Sequence, residues 1–287
     1  MKSNTPKIMI QVEGLSKRYK NVEALKRVSF EVYAGELFAY LGPNGAGKTT
    51  TIRILTGLTK RSSGDAWLNG HHIEDNGIDA KRSFGLVTQT INLDQELSVF
   101  ENLDLHGRLF GMKKRERKEK IKELLEYVGL LEWKDALVKE LSGGMKRRLT
   151  ISRALLHSPS ILFLDEPTVG LDAEIRRRIW SLIKRIQSDG ATIFLTTHYI
   201  EEAEFLADRV AFLDQGRIVA VDTPQNLMER MGVWAVDHWN AEGIKTRYFR
   251  SRKEAQKFME TQSPGFTFRR VNLEDAFLAF TGKRVSS

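Results

Sequence analysis

The segment that decides the fold reads Gly42-Pro43-Asn44-Gly45-Ala46-Gly47-Lys48-Thr49-Thr50. An apolar run from Glu36 to Leu41 precedes it, and a helix-forming segment continues to Leu55. The first part fits G-x-x-x-x-G-K-[ST], the phosphate-binding P-loop, in the strand-loop-helix context that the motif requires. Glycines let backbone N–H groups point at phosphate oxygens, and the helix N-terminus adds to the attraction. The segment predicts a nucleotide site in which Lys48 reaches the β- and γ-phosphates and Thr49 binds Mg²⁺.

Composition narrows the class of protein. The chain has 287 residues, of which 41% are hydrophobic, enough for one large domain with a small appendage. It contains no cysteine, which excludes a disulfide framework, a thiolate nucleophile and cysteine-ligated metal, and favours a reducing compartment. Residues 1–7 are polar and no apolar run approaches the roughly 20 residues of a membrane span, so we expect a soluble chain. The net charge of +8 is compatible with a solvated surface, nucleic acid or an anionic membrane.

The pattern along the chain predicts an α/β fold. Alternating strands near the N-terminus indicate an antiparallel β subdomain, whereas continuously apolar strands later in the chain indicate a mostly parallel, buried sheet. The alternating segments are Ile8 to Leu15 and Val28 to Tyr33, and the Asn-Gly turn signal that ends Asp65 to Gly70 predicts a further short antiparallel strand. The apolar segments are Phe84 to Thr88, Ile161 to Leu164 and Ala191 to Leu195. Residues 98–157 show helical periodicity and form a predicted helical insert.

Polar residues follow three of the apolar strands. Gln89 ends one strand, Asp165 and Glu166 end the next, and His198 lies after the third. The carboxyl ends of parallel strands meet at one sheet edge, so we expect these side chains near the P-loop. Asp165 is then a candidate magnesium ligand, because a buried strand-end charge needs a cation or solvent. Taken alone, Gln89 is also compatible with a solvated amide and His198 with a structural histidine.

Two helix starts carry further candidates. Ser142 stands in Leu141-Ser142-Gly143-Gly144-Met145 before a helix predicted over Lys146 to Leu156, and it is either an ordinary N-cap or part of a second anion-binding helix end. Asp172 is at least the N-cap of the next amphipathic helix. Tyr19, among basic neighbours, is either an exposed loop tyrosine or a platform for a nucleotide base.

The C-terminal part gives a weaker signal. A hairpin is predicted from Val210 to Val221, followed by a short helix capped at Thr223. Beyond it, a helix from Arg252 to Thr261 and a capped helix from Asn272 to Phe280 are predicted. We therefore divide the chain into a domain over residues 1–225 and a small C-terminal α/β extension over residues 226–287.

The ordered set of Tyr19, the P-loop, Gln89, LSGGM, Asp165-Glu166, Asp172 and His198 resembles the ATP-binding subunit of ABC transporters, over about residues 8 to 225. The signature LSGGM between the P-loop and the Asp-Glu strand is specific to that class. Three further stretches look like the drug, polysaccharide or lipid exporters with separate membrane subunits. These are Met145 to Arg148, Glu166 to Asp172 and Leu273 to Phe277.

The resemblance implies a role for each candidate. Tyr19 would stack on adenine, Gln89 would touch magnesium or the attacking water, and Asp165 would organise the metal. Glu166 would be the general base for water and His198 would hold the γ-phosphate. The signature residues would contact ATP bound by a second copy, with Asp172 at the shared interface.

The implied protein is an ATP- and Mg²⁺-dependent ATPase that dimerises around two ATP molecules. It would act at the cytoplasmic face of the membrane through transmembrane permease subunits and would need no direct contact with nucleic acid. One rival is a soluble ABC ATPase acting on nucleic acid or ribosomes, although such proteins usually carry two cassettes or a long coiled-coil insertion. The other rival is a P-loop small-molecule kinase, a class that is not expected to contain an LSGG motif.

Overall fold

The computed structural model describes residues 6–240, 243–260 and 265–282 of the chain. The strands are β1 Ile8–Tyr19, β2 Val22–Tyr33, β3 Leu37–Leu41, β4 Ser63–Leu68, β5 His71–His72, β6 Phe84–Val87, β7 Ile161–Asp165, β8 Thr192–Thr197, β9 Arg209–Asp214, β10 Arg217–Asp222, β11 Trp234–Asn240, β12 Gly243–Phe249 and β13 Phe266–Arg270. The α-helices are α1 Lys48–Leu55, α2 Gly77–Arg82, α3 Val99–Leu109, α4 Lys114–Tyr127, α5 Gly143–Leu155, α6 Ala173–Ser188, α7 Ile200–Leu206, α8 Pro224–Glu229, α9 Arg252–Glu260 and α10 Leu273–Thr281. Short 3₁₀ helices cover Leu131–Trp133 and Val138–Glu140.

The main sheet has the strand order β10-β9-β3-β8-β7-β6. Its strands pair in parallel, except that β10 returns antiparallel to β9 through the predicted hairpin. Every residue of β3, β7 and β8 is buried, as expected for strands covered on both faces. The prediction of a mostly parallel, buried sheet is therefore confirmed.

A second sheet, in the order β2-β1-β4-β5, is antiparallel throughout. It packs on the main sheet through Phe30 of β2, whose ring stacks on Phe38 of β3 at 5.5 Å and on Phe194 of β8 at 5.6 Å between centroids. Aromatic pairs at these distances contribute beyond the area they bury. This contact holds the predicted β subdomain against the strand that carries the P-loop.

The first hairpin is longer than the sequence predicts, and one placement was wrong. Strand β1 continues to Tyr19 and β2 begins at Val22, so Tyr19 ends a strand instead of lying in a loop. Register shifts interrupt the pairing near Leu15 and Lys17 and break the alternation of apolar and polar residues. The backbone pairing continues where the side-chain pattern fails, because ladder hydrogen bonds do not depend on side-chain polarity.

The helical insert lies between β6 and β7, as predicted, and comprises α3, α4, the 3₁₀ helices and α5. Its core includes Ile121, Leu124 and Val128, which the periodicity places on one face of α4. Helix α5 begins at Gly143, three residues before the predicted start, because Ser142 accepts a hydrogen bond from the backbone N–H of Met145.

The C-terminal part contains a third antiparallel sheet, β12-β11-β13, whose strands the sequence did not predict. Helix α9 matches the predicted helix up to Glu260, and Thr261 lies outside the described residues. Helix α10 returns to the main sheet, where Phe277 packs edge-on against Phe212 of β9 at 5.1 Å. The division at residues 225 and 226 stays a prediction.

A substitution at Gly85 of β6 tests how tightly the helical insert packs on the sheet. A Cβ built at this residue would lie 2.2 Å from the carbonyl oxygen of Ala154 in α5. We expect Gly85→Ala to lower the free energy of unfolding by about 1–3 kcal/mol, because the helix must move away from the strand. Urea denaturation measures the change.

Gly77→Ala is the matched control, because a Cβ there meets no atom within 4 Å. It lies at the start of α2, so its effect should be neutral or slightly stabilising. Equal stability of the two variants would contradict the close packing of α5 on β6.

Candidate functional site

The P-loop connects β3 to α1, and two of its glycines have left-handed backbone, with φ of 79° at Gly45 and 111° at Gly47. At Gly47 a Cβ would lie 2.6 Å from the carbonyl oxygen of Ala24, so only glycine fits between the loop and β2. Beside the loop is a cleft of about 380 Å³. The residues that line the cleft are Ala24, Asn44, Gly45, Gly47, Lys48, Thr49, Thr50, Gln89 and Glu166.

The Glu166 carboxylate is the centre of the site. Its Oε1 forms an ion pair with Lys48 Nζ at 3.1 Å, and its Oε2 lies 3.1 Å from His198 Nδ1. Gln89 Nε2 donates to the same Oε2 over a longer distance of 3.4 Å. Residues from three parts of the chain therefore converge on one carboxylate, in agreement with their expected place at the sheet edge.

Lys48 is held from the other side by the P-loop itself. Its ammonium donates to the carbonyl oxygens of Gly42 at 2.8 Å and Pro43 at 3.1 Å. The side chain is buried, so the ion pair with Glu166 compensates for the loss of water around its charge. Ala46 is buried behind the loop and accepts from the backbone N–H of Gly216.

Asp165 lies one residue before the central carboxylate, at the end of β7. Its Oδ1 accepts from the hydroxyl of Thr196 at 2.6 Å and from that of Thr49 at 3.2 Å. Burial raises the pKa of Asp165, while the two hydrogen bonds and the charge of Lys48 act in the opposite direction. A hydroxyl and a carboxylate side by side at a phosphate-binding loop are oxygen ligands of the kind that Mg²⁺ takes, so these residues fit a magnesium ion shared with a nucleotide.

Glu166 itself has a φ of 48°, a left-handed conformation that costs free energy in a residue with a side chain. Its backbone N–H donates to the carbonyl oxygen of Thr196 at 3.0 Å, which ties this turn to β8. The turn directs the carboxylate into the cleft beside Lys48.

Sequence reasoning missed Arg147, which holds the segment that carries Gln89. The buried guanidinium donates to the carbonyl oxygens of Thr88 at 2.7 Å and Gln89 at 2.9 Å. The only signal in the sequence was a basic run after the signature, in which the buried arginine does not differ from its neighbours. Thr196, at the end of β8, was likewise given no role.

The signature residues, Leu141 to Met145, are not among the described residues that line the cleft. Ser142 and Gly143 are exposed, Leu141 is buried and Met145 is half-buried. At Gly144 a Cβ would lie 2.6 Å from Ile175 in α6, so the signature helix packs closely on the helix that Asp172 caps. Asp172 is exposed and accepts from the N–H of Ile175 at 2.9 Å, which matches the expected N-cap.

Tyr19 is also apart from the residues that line the cleft. It is 40% exposed at the tip of the first hairpin, with Lys17 Nζ 4.7 Å from the centre of its ring. The same hairpin contributes Ala24 to the cleft. An aromatic face is therefore available on the element that borders the P-loop.

Comparison with known proteins identifies the family. The chain matches the family model described as ABC transporter over residues 25–169. It is 40% identical to the linearmycin resistance ATP-binding protein LnrL of Bacillus subtilis, over 84% of this chain and 77% of that protein. It is 38% identical to a Nod factor export ATP-binding protein I of Cupriavidus metallidurans, over 96% and 98% of the two chains.

Solved structures agree. An ATP-binding subunit of an ABC transporter superposes with a TM-score of 0.70 at 31% identity, over 77% of this chain and 92% of that one. A dimeric bacterial ABC transporter cassette superposes with a TM-score of 0.68 at 30% identity, over 75% and 98%. The chain belongs to the ABC transporter family as an ATP-binding, ATP-hydrolysing subunit, and the predicted P-loop NTPase fold is confirmed.

Lys48→Ala tests the cleft as the nucleotide site. We expect ATP affinity to fall by about 10- to 100-fold, since a charge-assisted hydrogen bond contributes about 1.5–3 kcal/mol. Equilibrium binding of a fluorescent ATP analogue measures it. Arg53→Ala, which removes an exposed cation from the same helix, should bind normally; equal loss in both variants would contradict a specific role for Lys48.

Proposed function

We propose that two copies of this chain close around two ATP molecules and hydrolyse them to drive export through a separate transmembrane partner. The observation that carries the proposal is the separation of the signature from the cleft within one chain. Among the described residues that line the cleft, none comes from Leu141 to Met145. A site that uses both sets of residues needs a second copy to supply the signature.

In this proposal the P-loop binds the phosphates of ATP. Its backbone N–H groups and Lys48 hold the phosphates, and Tyr19 stacks on the adenine ring. Thr49 and Asp165 would hold a Mg²⁺ ion, and Gln89, which lines the same cleft, would contact it. The metal supplies charge neutralisation on the phosphate oxygens.

Glu166 is the general base for the attacking water, and His198 contacts the γ-phosphate. Lys48 Nζ lies 3.1 Å from Glu166 Oε1, so an ion pair occupies this oxygen of the carboxylate. Phosphate oxygens compete for the same ammonium, and their binding releases Oε1 to accept a proton from water. Positioning and charge stabilisation do the rest of the catalysis.

The signature of the second copy completes each site. Ser142 and the exposed start of α5 present a hydroxyl and free helix N–H groups to the γ-phosphate of the opposite copy. Asp172 lies beside them at the shared interface. The solved relatives include a dimeric cassette bound to ADP and phosphate.

Export through a partner is proposed from the relatives, several of which are named as export ATP-binding proteins. No helix among the described residues is both long and apolar enough to cross a membrane. In this proposal the permease subunits are a separate chain, and they bring the ATPase to the cytoplasmic face of the membrane.

Glu166→Gln tests the general base and the two-copy mechanism together. The amide keeps the size of the side chain but cannot take a proton, so turnover should fall by about 10²–10⁴-fold. Binding should persist, because Lys48, Thr49 and Asp165 are intact. We expect ATP, but not ADP, to shift this variant from monomer to dimer in gel filtration.

Asp165→Asn is the control, because loss of the metal ligand should impair the magnesium-dependent dimer. Wild-type turnover in Glu166→Gln, or no dimer at any ATP concentration, would rule out the mechanism.

Ser142→Arg tests the composite site from the other side. We expect it to abolish hydrolysis while the monomer still binds ATP, because the signature serves the opposite copy. A mixture of Ser142→Arg with Lys48→Ala should regain activity, since a heterodimer contains one intact site. ATPase activity of the mixture, compared with each variant alone, measures the rescue; no rescue at any mixing ratio counts against a shared site.

A further inference from the structure

Glu202 is a buried carboxylate that the proposed mechanism does not use. It lies on α7, the helix that begins two residues after His198, and it has no exposed surface. A single oxygen, Oε1, accepts two hydrogen bonds, from Thr168 Oγ1 at 2.7 Å and from Trp180 Nε1 at 2.9 Å. Both donors are buried as well. Buried ionisable groups of this kind need a reason, because desolvation of a charge costs free energy.

The two donors belong to the elements on either side of Asp172. Thr168 stands two residues after Glu166, in the loop that leads from β7 to α6, and Trp180 is in the middle of α6. Glu202 therefore connects α7, the helix that follows His198, to two other elements. These are the loop that follows Glu166 and helix α6, which Asp172 caps.

A second contact links the same elements. The guanidinium of Arg176 in α6 lies 4.4 Å from the centre of the Tyr199 ring, and that ring lies 4.2 Å from the ring of His198. Helix α6 therefore makes two contacts with the segment that follows His198. Arg176 contacts Tyr199, and Trp180, one turn later in α6, donates to Glu202.

The surroundings of Glu202 act on its pKa in two directions. Burial raises the pKa of Glu202, while its polar neighbours Thr197, Thr168 and Trp180 and the charge of Arg176 act in the opposite direction. Two apolar side chains would join α6 to α7 at lower cost, since burying an ion pair or a charge is often less stabilising than apolar packing. Apolar side chains would not orient the loop that carries Thr168, whereas a hydrogen-bond acceptor shared by two donors does.

The loop needs such a restraint. Glu166 has left-handed backbone, a strained conformation that persists where the surrounding structure holds it. On its β-strand side the backbone N–H of Glu166 is held by Thr196, and on the other side the nearest side-chain bond to the loop is that of Thr168 to Glu202.

We propose that Glu202 is a positioning residue for ATP hydrolysis, which fixes the segment from Glu166 to Asp172 relative to His198. The proposal rests on the roles given above to Glu166 and His198. Glu202 does not touch the cleft, and it acts on the rate of the chemical step through the geometry of the general base. Its loss should leave ATP binding by the P-loop unchanged.

The test measures kcat, KM and ATP affinity of the full chain for Glu202→Ala, Glu202→Gln and the wild type. We expect Glu202→Ala to lower kcat by about 10- to 100-fold, the effect of a displacement of about 1 Å, with ATP affinity within about twofold. Glu202→Gln should regain most of the rate, because an amide oxygen can accept from both Thr168 and Trp180. Glu201→Ala, which removes an exposed carboxylate from the same helix, should behave as the wild type.

Thr168→Val and Trp180→Phe keep the test decisive if Glu202→Ala does not fold. Thr168→Val removes one donor and keeps the shape of the side chain, whereas Trp180→Phe removes the other donor and keeps an aromatic ring. Thr168→Val should lower kcat, and Trp180→Phe should lower it less, because Trp180 lies on α6 and not in the loop that follows Glu166. A folded Glu202→Ala or Thr168→Val with wild-type kcat, or a loss that appears only in ATP affinity, overturns the proposal. Wild-type chain without ATPase activity would instead overturn the proposed function, so the two failures are distinguishable.

Discussion

The parallel pairing of β3 with β8, and of β8 with β7, is the constraint on which the rest of the structure depends. In this register Leu41 lies beside Thr197 and Asp165 beside Thr196, so the P-loop, the two acids and His198 all leave the sheet at one edge. Complete burial of these strands fixes the register, because a slip would leave backbone groups unpaired in the core. Strand pairing therefore determines where the residues of the nucleotide cleft lie, more than the conformation of any single loop does.

Close contacts around the sheet then hold each loop in place. Gly47 fits against Ala24 and Gly85 against Ala154, and in both cases there is no room for a Cβ atom. Arg147 likewise holds the segment of Gln89 in place, because its guanidinium donates to two carbonyl oxygens just after the end of β6. The helical insert and the β subdomain therefore also determine the shape of the cleft.

Much of the candidate site could be predicted because its residues occur in short motifs at strand ends and helix starts. The P-loop, Asp165, Glu166 and His198 follow apolar strands, and Ser142 and Asp172 cap helices, so each has a local signal. Arg147 and Glu202 have none: one is an arginine in a basic run and the other a glutamate in an acidic helix. Their burial depends on what packs against them. The strands β11 to β13 were missed because their aromatic and basic residues do not alternate clearly.

The sequence by itself determined the nucleotide-binding loop, the main strands of the first two sheets and the family, because these depend on residues that are close together in the chain. Only the tertiary structure decided which side chains meet: that Lys48 pairs with Glu166, that Thr49 and Thr196 share one oxygen of Asp165, and that the signature is not among the described residues that line the cleft. Such contacts join residues that are far apart in the chain, by 116 positions for Thr49 and Asp165 and by 31 for Thr196 and Asp165. They are set by strand order and by the space left between packed elements, which no local pattern records.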